Sequence, residues 1–170
     1  MQSLDEKLEN LLMDRVNEIL NNPIYKENLT KIKALEKDRI FCKHDLEHFI
    51  NVARICYIIN LERNLGFSKE IIYTIALLHD IGRGEQYENG TPHEIASYEI
   101  AKRIIKDIYF SLEEHRLIED GIIGHRKNEK ASIIGKLVYE GDKVSRECYN
   151  CPSKSLCNWK DEKKNLKIKY

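Results

Sequence analysis

Polar side chains stand at several places where the helical pattern of this chain calls for apolar ones. His48 shares a face with Val52, Ile55 and Ile59, His79 continues the stripe Ile72, Ile75 and Ala76, and Asp142 interrupts the stripe Ile134, Leu137 and Val138. Taken singly, a histidine on such a face is most often a hydrogen-bonded core residue. An aspartate turned inward is costly unless it is paired or bound to a cation. No lysine or arginine recurs on these stripes as an evident counter-charge. A bound metal ion would satisfy the aspartates and the histidines together. Adjacent His79 and Asp80 point about 100° apart on a helix of 3.6 residues per turn, so at a helix end both can reach one ion. His48 and Asp142 would then close the site from two other helices.

The elements that must position these groups read as helices throughout. Leu4, Leu8, Leu11, Leu12, Val16, Ile19 and Leu20 form a one-sided stripe ended by Asn21, Asn22 and Pro23. Tyr25, Leu29, Ile32 and Leu35 mark a second helix, and a third opens at Lys43 to Asp45 and runs to about Asn64. Ser68 is an N-cap for the helix that carries His79 and stops near Gly82. The glycine-rich segment from Gly82 to Gly90 reads as a loop beside Asp80, with Tyr87 and Glu88 lining a substrate pocket. Thr91 to Glu94 and Ser111 to Glu114 read as capping boxes, the first with Pro92 at the opening helical position. A last long helix carries Asp142, and no segment alternates as a strand.

Bulk properties fit one globular domain. The chain has 170 residues, 42% of them apolar, enough for a real core. Its 28 basic and 28 acidic residues cancel, so composition gives no reason to expect nucleic-acid or membrane binding. The N-terminus lacks the pattern of a secretory signal, which with the absence of a long apolar run predicts a cytoplasmic protein with no membrane partner.

The order of H-x3-V-A from His48, an apolar helix ending in ALLHDIGR (76–83) and a later Y-x2-D-K (139–143) resembles the HD superfamily of metal-dependent phosphohydrolases. The resemblance covers about residues 44–146. It implies an all-α fold, a single HD-domain helical bundle at 44–147 with N-terminal helices at 1–43 packed on it and a cysteine-containing extension at 148–170. It also implies His48, His79, Asp80 and Asp142 as ligands of a divalent metal. His93 and His125 fall where the six-ligand branches of the family place further ligands, so one or two ions, iron or manganese, are expected. Arg83 is similar to the lysine of the HDIGK pattern and is expected to contact phosphate, with Arg126 as a further substrate-binding residue. Asp80, Arg83 and Lys143 are the expected catalytic residues. The HHE and GYP elements of cyclic di-GMP phosphodiesterases do not follow His125, where the chain reads HRKNEKAS, and Gly141 replaces the alanine usual before the last aspartate.

What this implies is hydrolysis of a nucleotide-like phosphoester or phosphoanhydride by metal-activated water, with a small-molecule substrate. The alternative is a non-catalytic HD module that binds metal or nucleotide and regulates something else. A separate feature is Cys148-x2-Cys151-x5-Cys157, to which Cys42 can add a fourth thiol. A structural zinc, a small iron–sulfur centre and free thiols are all compatible with that spacing. Cys56 lies in an apolar stripe and reads as core.

Overall fold

The computed structural model describes residues 13–126 and 129–170. The stretch carrying Leu4, Leu8, Leu11 and Leu12 lies outside the described residues. Among the described residues the chain is all-α: α1 (Asp14–Asn21), α2 (Pro23–Leu35), α3 (Leu46–Glu62), α4 (Lys69–Leu78), α5 (Arg83–Asn89), α6 (His93–Ile104), α7 (Leu112–Gly124) and α8 (Ile133–Val144), with short 3-10 turns between and after them.

The centre of the bundle is α4. Eight of its residues, from Glu70 and Ile71 to Leu77 and Leu78, are buried, so the helix is apolar nearly all round. Such a helix must be enclosed by others, and here α1, α3, α6 and α7 pack around it. Ser68 caps it as the sequence requires, accepting from the Ile71 N–H. The one buried charge on α4, Glu70, is met by Arg15 of α1, whose guanidinium also takes both oxygens of Glu114 on α7. This arginine ties three helices together. Asp45 caps α3 by accepting from the His48 N–H, and Ser111 with Glu114 forms the expected capping box on α7.

Two local expectations fail. Residues 83–89 are helical, not a loop. Gly90 ends this helix at φ 77°, where glycine carries no Cβ penalty, and Lys31 of α2 holds it from below through ion pairs to Glu85 and Glu88. Tertiary contacts therefore override the glycine content of the segment. The capping box at Thr91 is also absent: the threonine hydroxyl donates to Asn89, Pro92 takes the N-cap position, and Glu94 pairs with Arg126.

Candidate metal centre

The α4 helix delivers His79 at its C-cap, and Asp80 follows in the turn; both are fully buried. His48 comes from the first turn of α3 and Asp142 from the last turn of α8, two helices that pack directly on each other. Their closeness rests on Gly141, where a Cβ would lie 2.2 Å from the Cys56 sulfur on α3. The glycine that departs from the family pattern is thus matched to Cys56, which is core as expected. His93 opens α6 and His125 caps α7, and both rings are buried.

These side chains meet in two groups. One ligand atom from each of His48, His79, Asp80 and Asp142 lies within 4.8 Å of the others, and so does one from each of Asp80, His93 and His125. Asp80 belongs to both. Its Oδ2 is 3.5 Å from His79 Nε2, and its Oδ1 is 3.2 Å from His93 Nε2 and 3.5 Å from His125 Nε2. The aspartate therefore turns one oxygen toward each group.

Three of the imidazoles are oriented so that they could ligate an ion. His79 Nδ1 donates to the Ala76 carbonyl and His125 Nδ1 to that of Ile122, while His48 Nδ1 lies 3.4 Å from Ser145 Oγ, whose proton goes to the Asp142 carbonyl. Spending Nδ1 this way leaves each Nε2 lone pair facing inward, the arrangement that metal-bound histidines require. His48 Nε2 and His79 Nε2 are buried without a hydrogen bond; the former is 3.1 Å from Asp142 Oδ1 but does not point along a hydrogen bond to it. His93 Nε2 and His125 Nε2 stand 3.1 Å apart and must share a proton or a cation.

Electrostatics favours the ligating state of His48, His79, His93, Asp80 and Asp142. Burial pushes His79 down to about 3 and His93 down to about 4, with Asp80 opposing only in part. Burial also lowers His48, against the pull of Asp142. For Asp80 and Asp142, burial alone would raise the carboxyl. His79, His125 and Arg83 outweigh it at Asp80, and His48 and Arg146 do so at Asp142, holding both well below the usual carboxylate range. Neutral imidazoles and ionised carboxylates are the states in which these groups bind a cation.

The structure also corrects the reasoning that no counter-charge was at hand. Arg83 forms a two-pronged pair with Asp80 (3.0 and 3.2 Å), Lys143 Nζ lies 2.7 Å from Asp142 Oδ2, and Arg146 lies 3.1 Å from Asp142 Oδ1. Arg83 and Arg146 follow their aspartates at the three- and four-residue spacing that brings side chains together on a helix, but both lie past the ends of the helices that carry those stripes, and Lys143 is the immediate neighbour of Asp142. The fit to metal consequently rests on the unpartnered imidazole nitrogens rather than on unpaired carboxylates. Arg126, expected to bind substrate, is an exposed residue paired with Glu94 at 3.3 Å.

One buried histidine was missed. His44 Nε2 is 3.6 Å from Asp80 Oδ2, and its Nδ1 donates to Glu36, which also accepts from the Tyr87 hydroxyl. Burial raises Glu36, but the bonds from His44 and Tyr87 prevail and hold it at about 2. His44 precedes the N-cap of α3, so it lies on no helical stripe; its separation of four residues from His48 was the available signal.

The HD domain family model matches residues 45–147. A protein of Clostridium beijerinckii that carries the label uncharacterized is 56% identical over 158 residues, covering 93% of this chain and 100% of its own length. Ribonuclease Y of Mycoplasma mycoides is 29% identical over 146 residues, which is 85% of this chain but 32% of that enzyme. Ribonuclease Y of Campylobacter concisus is 29% identical over 133 residues, 78% of this chain and 23% of that enzyme. The chain spans a third or less of those two ribonucleases. No solved structure gives a significant match. With the match covering more than half of its length, and buried histidines and aspartates able to hold a divalent metal where the helices converge, the chain belongs to the HD-domain family of metal-dependent phosphohydrolases.

Proposed function

We propose that the protein hydrolyses a nucleotide-like phosphoester or phosphoanhydride, with His48, His79, Asp80 and Asp142 holding one divalent ion and Asp80, His93 and His125 a second. The observation that carries this reading is the pair of ligand groups joined at Asp80, with ring nitrogens that no protein group satisfies. A divalent ion there lowers the pKa of a bound water toward neutrality and polarises a phosphoryl oxygen.

The remaining roles fall to the chain's own residues. Arg83, half-buried and presently on Asp80, carries the planar fork that suits phosphate oxygens. Lys143 holds Asp142 and carries its charge toward the same site, while Arg126 stands at the rim beside His125. His44, its Nδ1 proton committed to Glu36, presents Nε2 toward Asp80 and is positioned to take up a proton there. The ribonuclease relatives favour one further reading, in which the scissile bond is a phosphodiester of RNA. A non-catalytic module that only binds metal or nucleotide is the rival of both.

The test is metal content and turnover of protein purified anaerobically, beside Asp80→Asn, on a generic phosphodiester, a nucleotide panel and a short RNA. Bound iron or manganese together with hydrolysis, both lost in the variant, is the expected result. Activity should fall further than the roughly 10–100-fold usual when a residue supporting a metal ligand is changed. Metal and nucleotide binding without turnover of anything in the panel would establish the regulatory module instead.

A further inference from the structure

Cys42, Cys148, Cys151 and Cys157 all line one cavity of about 290 Å³, although Cys42 lies more than a hundred residues before the others. The segment that brings them together has little else to hold it. Past Cys148 the chain forms two 3-10 turns and no longer helix, and Cys148 is its one buried hydrophobic residue among the described residues. Its ties to the bundle are polar: Ser153 Oγ donates to the Ile40 carbonyl, and the Asn165 side chain donates to the carbonyls of Lys143 and Arg146. A segment without a core of its own usually owes its order to a disulfide or a metal. All five cysteines of the chain are free thiols.

The thiols sense one another. Burial raises the Cys42 thiol, and charge on Cys148 and Cys151 raises it further against the pull of Arg146. The bond to Asp161 raises Lys164, which also lines the cavity, and charge on Cys157 and Cys148 adds to it. Gathering four thiolates here would call for a cationic centre between them, since Arg146 and Lys164 supply only part of the compensation.

Spacing favours a centre larger than one ion. A single zinc with four thiolates at about 2.3 Å sets its sulfurs about 3.8 Å apart. No three of these sulfurs fall within 4.8 Å of one another, a wider spacing than one zinc sets. We propose that Cys42, Cys148, Cys151 and Cys157 each ligate one iron of a [4Fe–4S] cluster that pins the C-terminal segment to the entrance of α3. Its ligands are distinct from those of the adjoining histidine–aspartate site, although His48 lines the same cavity and Arg146 reaches both: it donates to the Lys43 carbonyl beside Cys42 and to Asp142.

The test uses the full chain, purified anaerobically and reconstituted with ferrous and ferric iron and sulfide, assayed for iron, acid-labile sulfide and visible charge-transfer absorption. About four sulfides per chain are expected in the wild type, Cys56→Ala and Asp80→Asn, and none in Cys151→Ser or Cys157→Ser. Circular dichroism of the serine variants keeps loss of the cluster distinct from loss of the bundle. Sulfide retained in both serine variants, a single zinc in place of sulfide, or no sulfide in the reconstituted wild type overturns the proposal. Iron at the histidine–aspartate centre brings no sulfide with it, so failure of the hydrolase reading would leave this result unchanged.

Discussion

His79 and His93 show how burial alone prepares a residue for its task. Both imidazoles would titrate near 6.5 in an unfolded chain, whereas in the folded protein burial holds them at about 3 and about 4. Between those values and 6.5 the unfolded chain binds protons that the folded one refuses. The associated stability is therefore fully present above pH 6.5 and is lost as pH falls through that window. Asp80 and Asp142 do not oppose the trend, because their depressed carboxyls lose stability in the same direction at lower pH. Unfolding free energies of metal-stripped protein from urea titration should drop between pH 7 and pH 5 by on the order of 2 kcal/mol from His79, with a smaller part from the less buried His93. A flat profile would mean that the rings are not held neutral. At this scale the sequence was informative where a polar residue broke an apolar stripe, as at His48, His79 and Asp142. It was weaker for His44, which sits ahead of a helix and is marked only by its four-residue separation from His48, and for Arg83 and Arg146, which lie past the ends of the stripes although three and four residues from their aspartates.

Among the elements, α3 and α8 set the distance between His48 and Asp142, and the Gly141–Cys56 contact sets how closely they approach. Gly141→Ala gains about 1 kcal/mol in helix propensity but forces a methyl group to within 2.2 Å of sulfur. Overpacking of that kind costs about 1–3 kcal/mol, and the severity of the overlap makes the cost prevail. The single variant should be destabilised and bind metal more weakly, and adding Cys56→Ala should recover most of the loss. Additive effects across the four proteins of this cycle would show that the two side chains do not meet. The helices themselves were legible from their stripes and caps, α4 most plainly. The segment 83–89 was not, because its helix depends on Lys31 from α2 and on the left-handed Gly90, while the glycine-rich composition argues for a loop.

For the molecule as a whole, the proposed ligands come from α3, the end of α4, α6, the end of α7 and α8, so the intact centre exists only when the bundle is assembled. A metal that binds there and not to the unfolded chain stabilises by about 2.7 kcal/mol when free metal is at a hundred times its Kd. Chelation should then lower Tm by roughly 5–10 °C, and a thermal scan with and without chelator, repeated on Asp80→Asn, checks it. An equal shift in the variant would place the effect elsewhere. No helix of the described residues is long and apolar enough to cross a membrane.

The enclosure around Asp80 is also uneven in kind. On the α4 and α7 side hydrocarbon packs without a break, whereas the wall made by α5 is fastened to α2 and to the 36–44 segment by Lys31 with Glu85 and Glu88 and by Tyr87 with Glu36. The two Lys31 pairs, partly exposed, contribute about 0–1 kcal/mol each and weaken as salt screens them. The candidate centre thus has one wall of packed hydrocarbon and one held by charge, and dissolved ions would act on the second alone.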